Sequence, residues 1–463
     1  MTRVVESVIG DYSHRVQWQV VDVHKKEGAM RMLDVTGKNG KRMPLPSIFV
    51  DGNLIFSTIP DQRELRDYLD GQLAKAMKGP GDWSLRKKAR SDGGPCDPGG
   101  GQAKFLSGSS DFSSYWQEKQ SRLESLLAGN MGGGVLPFPF VGDYSAAQSG
   151  LPMSVLLNDA GLNFRHQMSV MEKYGFGWGP YFKYASYGIG CEDAGQELSC
   201  PEDRPEPCHN DRLIRSEAAA EEFQLPRADR SATIAIAKSF SRLQVEHGLQ
   251  VTVVLGGLFT LSARIGSLDD LCRWMIRRPD LARKILRISA DYTVEVVQSW
   301  VRLFGAEKVI PMIFESLTAR PILSSLHFEK FLLPFFAETA EKLLGMGIAH
   351  IFYHIGGDQG DRLSMWSEIP MGNPGICSIG FENDLEQAIA CLGEKAVLVG
   401  HIHPQRILEG PGRAILDDCL EILEKGEKAP RGFMLGTGGE IPPTAPAANI
   451  AVMGEALGKW GGC

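Results

Sequence analysis

The chain has 463 residues, 43% hydrophobic and 23% charged, the balance of a folded globular protein and more than a single ordinary domain needs. A formal net charge of −7 gives no electrostatic reason to bind nucleic acid, and no run of about 18 apolar residues is present to span a bilayer. Met1 is followed by Thr-Arg-Val-Val-Glu-Ser, which lacks the apolar core of a secretory signal, so the expected location is cytoplasmic and the nine cysteines are expected to be mostly reduced, buried thiols.

Residues 1–72 read as a small α/β domain. Positions 16–23 alternate as a strand, residues 47–56 form a hairpin turning at Asp51-Gly52, and 61–72 follow as an amphipathic helix. This order, with Leu45-Pro46 ahead of the hairpin, resembles the later part of a thioredoxin fold, and the resemblance implies a cis Leu45-Pro46 bond. Thiol redox chemistry does not come with it, because the first cysteine is Cys96 and no Cys-x-x-Cys pair is present in this stretch. The domain is therefore expected to serve docking, or dimerisation with a second copy of the chain. Residues 73–111 turn to Gly, Pro, Ser, Lys and Arg, as in Arg86-Lys-Lys-Ala-Arg90 and Pro98-Gly-Gly-Gly101, and read as a flexible linker.

From 112 to 463 apolar runs alternate with helical patterns. Strands are expected at 135–140, 176–182, 250–256, 308–315, 349–354, 376–380, 396–401 and 432–437. Strong helices are expected at 280–304, opening after Pro279, and at 326–344, ending at Gly345. Eight strands separated by helices predict a (β/α)8 TIM barrel, an α/β fold whose chemistry sits at the carboxyl ends of the strands.

At those ends the residue types become informative. The fourth run finishes at Glu315, the fifth at His354-Ile-Gly-Gly-Asp358, the seventh at His401-Ile-His403, and the eighth at Thr437-Gly-Gly-Glu440. His354, as an acid, base or ligand, is the first candidate catalytic residue, with Glu315, Glu440 and Asp358 as carboxylates that move or hold protons. The i, i+2 spacing of His401 and His403 puts both on one side of an extended segment, so the two are expected to meet His354 at one rim as a three-imidazole zinc site with an open position. The competing reading leaves them as ordinary polar residues at a strand end. Asp143, Tyr144, Trp178 and Tyr181 stand at or after the first two strands and either pack the core or bind a flat apolar substrate. Cys191, Cys200, Cys208 and His209 match no compact zinc spacing and read as a surface hairpin, and the glycines after Asn130 lack the lysine of a phosphate loop.

Leu435-Gly-Thr-Gly-Gly-Glu-Ile-Pro-Pro-Thr-Ala-Pro-Ala-Ala-Asn-Ile450, His354-Ile-Gly-Gly-Asp358 and Phe328-Glu-Lys-Phe-Leu-Leu-Pro334 resemble the uroporphyrinogen decarboxylase superfamily. The likeness is closer to its cobamide-dependent methyltransferases, since the arginine-rich porphyrinogen motif has no counterpart around 135–150. It implies methyl transfer between a small methyl donor or acceptor and a corrinoid on a partner protein, because no segment here reads as a cobalamin-binding domain. In that branch zinc is held by a His-x-Cys pair and a cysteine in a Gly-Cys-Glu-Ile-Pro-like turn. This chain keeps His354 but has Gly356 and Gly439 at the cysteine positions, so any zinc would need the histidine set instead. A lyase acting on a carboxylated substrate, with Arg165, Arg320 or Arg406 as clamps, and a non-catalytic binding protein are the alternatives.

Overall fold

The computed structural model describes residues 48–50, 53–56 and, from 110 to 461, all except 131, 133, 152, 184–188, 197, 200–207 and 210–211. The chain divides into two units, Met1–Ala103 and Lys104–Cys463. In the first, Ile48–Val50 and Asn53–Phe56 pair antiparallel with Val50 opposite Asn53, the hairpin expected around Asp51-Gly52. The rest of the thioredoxin-like reading, with the Leu45-Pro46 bond, lies outside the described residues, as does most of the linker.

The second unit is built on a parallel sheet of seven strands: β1 (Leu136–Pro137), β2 (Val251–Gly256), β3 (Val309–Glu315), β4 (Phe352–Ile355), β5 (Gly375–Ile379), β6 (Ala396–Ile402) and β7 (Phe433–Thr437). Their order in the sheet is β1-β7-β6-β5-β4-β3-β2, so strands after β1 are laid down side by side with helices between them, as in a TIM barrel. β2 and β3 are buried along their whole length. Sheets covered on both faces need such continuous β-branched and aliphatic runs, which is why these strands are legible in sequence. The long helix Pro279–Phe304 starts on a proline, whose missing N–H costs nothing at a first turn, carries Asp280 there, and stops at Gly305 with φ +89°. The expected helix at 326–344 is instead broken into a π-helical turn, Phe328–Leu332, and the helix Leu333–Gly345. Pro334 has no N–H to return to the preceding turn, and the wider turn absorbs the mismatch.

The strand expected at 176–182 does not form. Phe176-Gly-Trp-Gly-Pro180 interrupts any ladder with two glycines and a proline. The segment nevertheless joins the two edge strands. Gly177 donates to Pro137 O at 2.8 Å on the β1 side. On the other side two buried glutamines replace the ladder. Gln167 holds Tyr181 through both its N (3.1 Å) and its O (2.8 Å). Gln244 bonds Pro180 O (2.7 Å) and accepts from Thr252 N of β2 (3.1 Å).

Candidate active site

Register decides what surrounds His354. In the parallel pairing Phe314 lies opposite His354, and His354 opposite Ser378, so the three side chains share one face. The imidazole Nδ1 is 3.0 Å from Ser378 Oγ. Its ring stands edge-on to Phe140 at 5.0 Å and tilted to Phe314 at 5.3 Å. Burial among these rings, helped by the charge of Lys183, pushes the imidazole down to about 4 and keeps it neutral at pH 7. Its other nitrogen faces Gly356, where an added Cβ would lie 3.2 Å from Nε2 and 2.7 Å from Ser316 Oγ, so the glycine keeps that nitrogen approachable.

A second group of polar side chains gathers where β1, β7 and the 176–183 segment end. Phe140 bridges Glu440, and Ile441 N donates to Phe140 O at 2.8 Å, which brings the β7 end against residues 141–143. Tyr181 OH accepts from Val141 N (3.0 Å) and Gly142 N (3.2 Å) and donates to Glu440 Oε1 (3.2 Å). Lys183 Nζ is 3.0 Å from Asp143 Oδ2 and 3.5 Å from Glu440 Oε1, with its side chain 9% exposed. Under this layer Trp178 stacks on Phe138 at 4.6 Å, an aromatic floor beneath polar groups. Sequence reading missed Lys183. It stands at the end of an apolar run as His354 and Glu315 do, but its run was read for its aromatic residues.

Other candidates are engaged in structure. Glu315 is fully buried and accepts from Phe259 N (2.9 Å), Thr260 N (3.2 Å), Thr260 Oγ1 (2.6 Å) and Leu317 N (3.2 Å), anchoring the start of the helix Leu258–Ile265. Burial pushes its carboxyl up to about 7, and the donated bonds pull against that. Asp358 is partly exposed and held by Arg320 Nη2 at 2.7 and 2.8 Å. Tyr144 OH meets Tyr174 OH at 3.0 Å inside the core.

His401 and His403, expected to meet His354 at one rim, have other partners in the structure. His401 Nε2 donates to Asn383 O at 2.9 Å, and His403, exposed, accepts from Gln405 N at 3.0 Å while its ring lies tilted against Phe381 at 3.8 Å. The i, i+2 spacing does put both on one side, but that side is the turn after β5. The same turn reaches back to the β4 end, with Asn383 Nδ2 donating to Gly357 O at 2.9 Å. Among the described residues no three His, Cys, Asp or Glu side chains are gathered as a metal would require. Two hollows of about 250 and 230 Å³, both lined by Asp229, include none of these groups in their walls.

Residues 140–460 match the family described as uroporphyrinogen decarboxylase (URO-D). This chain belongs to that family. Among solved structures, a methyltransferase from Methanosarcina mazei is similar over 74% of this chain and 98% of its own, at 19% identity and a TM-score of 0.62, a likeness of fold. A structure of D-psicose 3-epimerase in the presence of D-fructose covers 52% of this chain and 85% of its own at 11% identity, and with a TM-score of 0.25 it carries no argument. No curated protein matches the sequence. The zinc that the methyltransferase resemblance implies does not fit the residues present: Gly356 and Gly439 offer no thiolate, and no three ligand side chains are gathered among the described residues. Among the described residues, no helix is long and apolar enough to cross a membrane.

Proposed function

We propose that this URO-D family protein moves a methyl group between a small methylated substrate and a corrinoid carried by a separate partner protein. The observation that carries the reading is a neutral, oriented imidazole at the end of β4 that feels the charge of a buried ammonium, itself set among a phenol and two carboxylates. The family and the fold shared with a methyltransferase support it. A corrinoid, when bound, supplies the nucleophile or methyl source. The chain's own task is to bind the heteroatom that carries the methyl group and to manage its charge.

His354, turned by Ser378, presents Nε2 beside Gly356 and hydrogen-bonds that heteroatom. Glu440 and Tyr181 form the proton path next to it, Asp143 orients their neighbour Lys183, and the Trp178 and Tyr181 rings wall the methylated group. Asp358 and Glu315 stand outside this set because Arg320 and a helix start already engage them. The lyase reading has less support, since two of its clamps, Arg320 and Arg406, are paired with Asp358 and Asp418.

The test is to mix the protein with reduced cobalamin and methyl ethers, thioethers and amines, following the cobalt spectrum. Donor-dependent methylation is expected, with His354→Ala slower by about 100-fold or more. A wild-type protein that leaves the spectrum unchanged with every donor overturns the reading.

A further inference from the structure

We infer that the two hollows beside Asp229 form a separate oxyanion subsite, taking a phosphoryl group on Lys238, Arg242 and Arg302. It goes beyond the methyl-transfer reading, since none of the residues named there lines either hollow. The short turn Ala228–Arg230 packs against the helices Ala232–Glu246 and Pro279–Phe304, and Ala228 and Asp229 wall both hollows. Lys238 and Arg242 stand one turn apart on the first helix and line the hollow of about 230 Å³. Arg302, in the last turn of the second helix, lines the hollow of about 250 Å³. The Lys238 ammonium lies over the Trp300 ring of that second helix, 5.3 Å from its centroid, which holds Lys238 toward the helix that carries Arg302.

The carboxylates lining the hollows are already engaged. Asp229 is held by Arg227 at 2.7 and 3.2 Å, and Glu295 accepts from Ala228 N at 3.0 Å. Among the described residues no carboxylate pairs with Lys238, Arg242 or Arg302; Arg242 donates to Ser239 Oγ at 3.4 Å and Arg302 to Gln298 Oε1. Burial and the charges of Arg242 and Arg302 push the Lys238 ammonium below its ordinary value, while Asp229 pulls the other way. Three cations that repel one another without a counter-charge are relieved by a dianion, and a guanidinium matches two phosphoryl oxygens at once. Each hollow is smaller than the roughly 300 Å³ at which pockets for whole small molecules begin, and Trp300 is fully buried, so it offers no ring face to stack a flat ligand. The phosphoryl group is that of free phosphate or of an organic monophosphate whose remainder lies in solvent.

The experiment titrates the full chain with inorganic phosphate and with glycerol 3-phosphate by calorimetry, at an ionic strength held constant with chloride. In parallel, acetylation of Lys238 by acetic anhydride is followed by peptide mass mapping. Saturable binding with a Kd of about 1 mM or tighter is expected, with Lys238 acetylated several-fold more slowly in the bound protein. Arg242→Gln and Arg302→Gln should each weaken binding by about 10-fold, the loss of one charge-assisted contact. Tighter binding of glycerol 3-phosphate assigns the subsite to an organic phosphate and equal binding to the free ion; both uphold it. Absence of saturation at about 10 mM phosphate, or binding that both variants leave unchanged, overturns the assignment. Equal slowing of Lys238 acetylation by added chloride also overturns it, because that is screening and not occupancy. None of these outcomes depends on methyl transfer.

Discussion

His354 and Glu315 are both buried, yet acidity acts on them in opposite directions. The imidazole's folded value of about 4 lies below its ordinary 6.5, so as pH falls across that window the unfolded chain takes up a proton the folded chain refuses. Stability should drop on that acid limb, by on the order of 3 kcal/mol from this group. Because Glu315 acts oppositely over the same window, the His354 part is read as the change that His354→Asn makes to the difference between urea titrations at pH 7 and pH 4.5: the variant should lose less stability, or gain more, on going to pH 4.5 than wild type does. Glu315 runs the other way: its value of about 7 lies above 4.5, so between these values the folded chain keeps a proton that the unfolded chain has released, and its contribution falls as pH rises. Glu315→Gln would turn an amide N–H₂ toward the N–H groups that start the helix Leu258–Ile265. It should cost about 1 to 3 kcal/mol in urea unfolding, and a variant of wild-type stability would remove the anchoring role.

The segment 176–183 is the element on which the site depends, because it delivers Tyr181 and Lys183 without being a strand. Its two neighbours hold it by side chains, Gln167 and Gln244, in place of a backbone ladder. Gln244→Leu keeps the volume but leaves Pro180 O, Thr252 N and Thr252 Oγ1 without that partner. A loss on the order of 3 kcal/mol is expected, with faster amide exchange at Tyr181 and its neighbours, because unpaired buried polar groups carry their full desolvation cost. If exchange there is unchanged, the glutamines do not hold the segment. The strands with uninterrupted apolar runs were legible, since a buried parallel strand demands that composition. In this segment the aromatic residues suggest a strand, while Gly177, Gly179 and Pro180 forbid the ladder.

At the scale of the whole molecule, every side chain of the proposed site comes from the unit Lys104–Cys463. A 104–463 fragment should therefore keep a helix-rich circular dichroism spectrum and a cooperative melt; a molten profile would show that its core needs the first 103 residues. Sequence alone determined the barrel-like order of strands and helices and the family, because the period of burial and the glycine and proline pattern are local properties of the chain. It also determined that His354 and Glu440 stand at strand ends. Which of the polar residues meet was decided only in three dimensions. Register set His354 against Ser378, and the turn after β5 claimed His401 and His403. Long-range packing brought Lys183 between Asp143 and Glu440, residues 40 and 257 positions away in the chain, a proximity that no local pattern encodes.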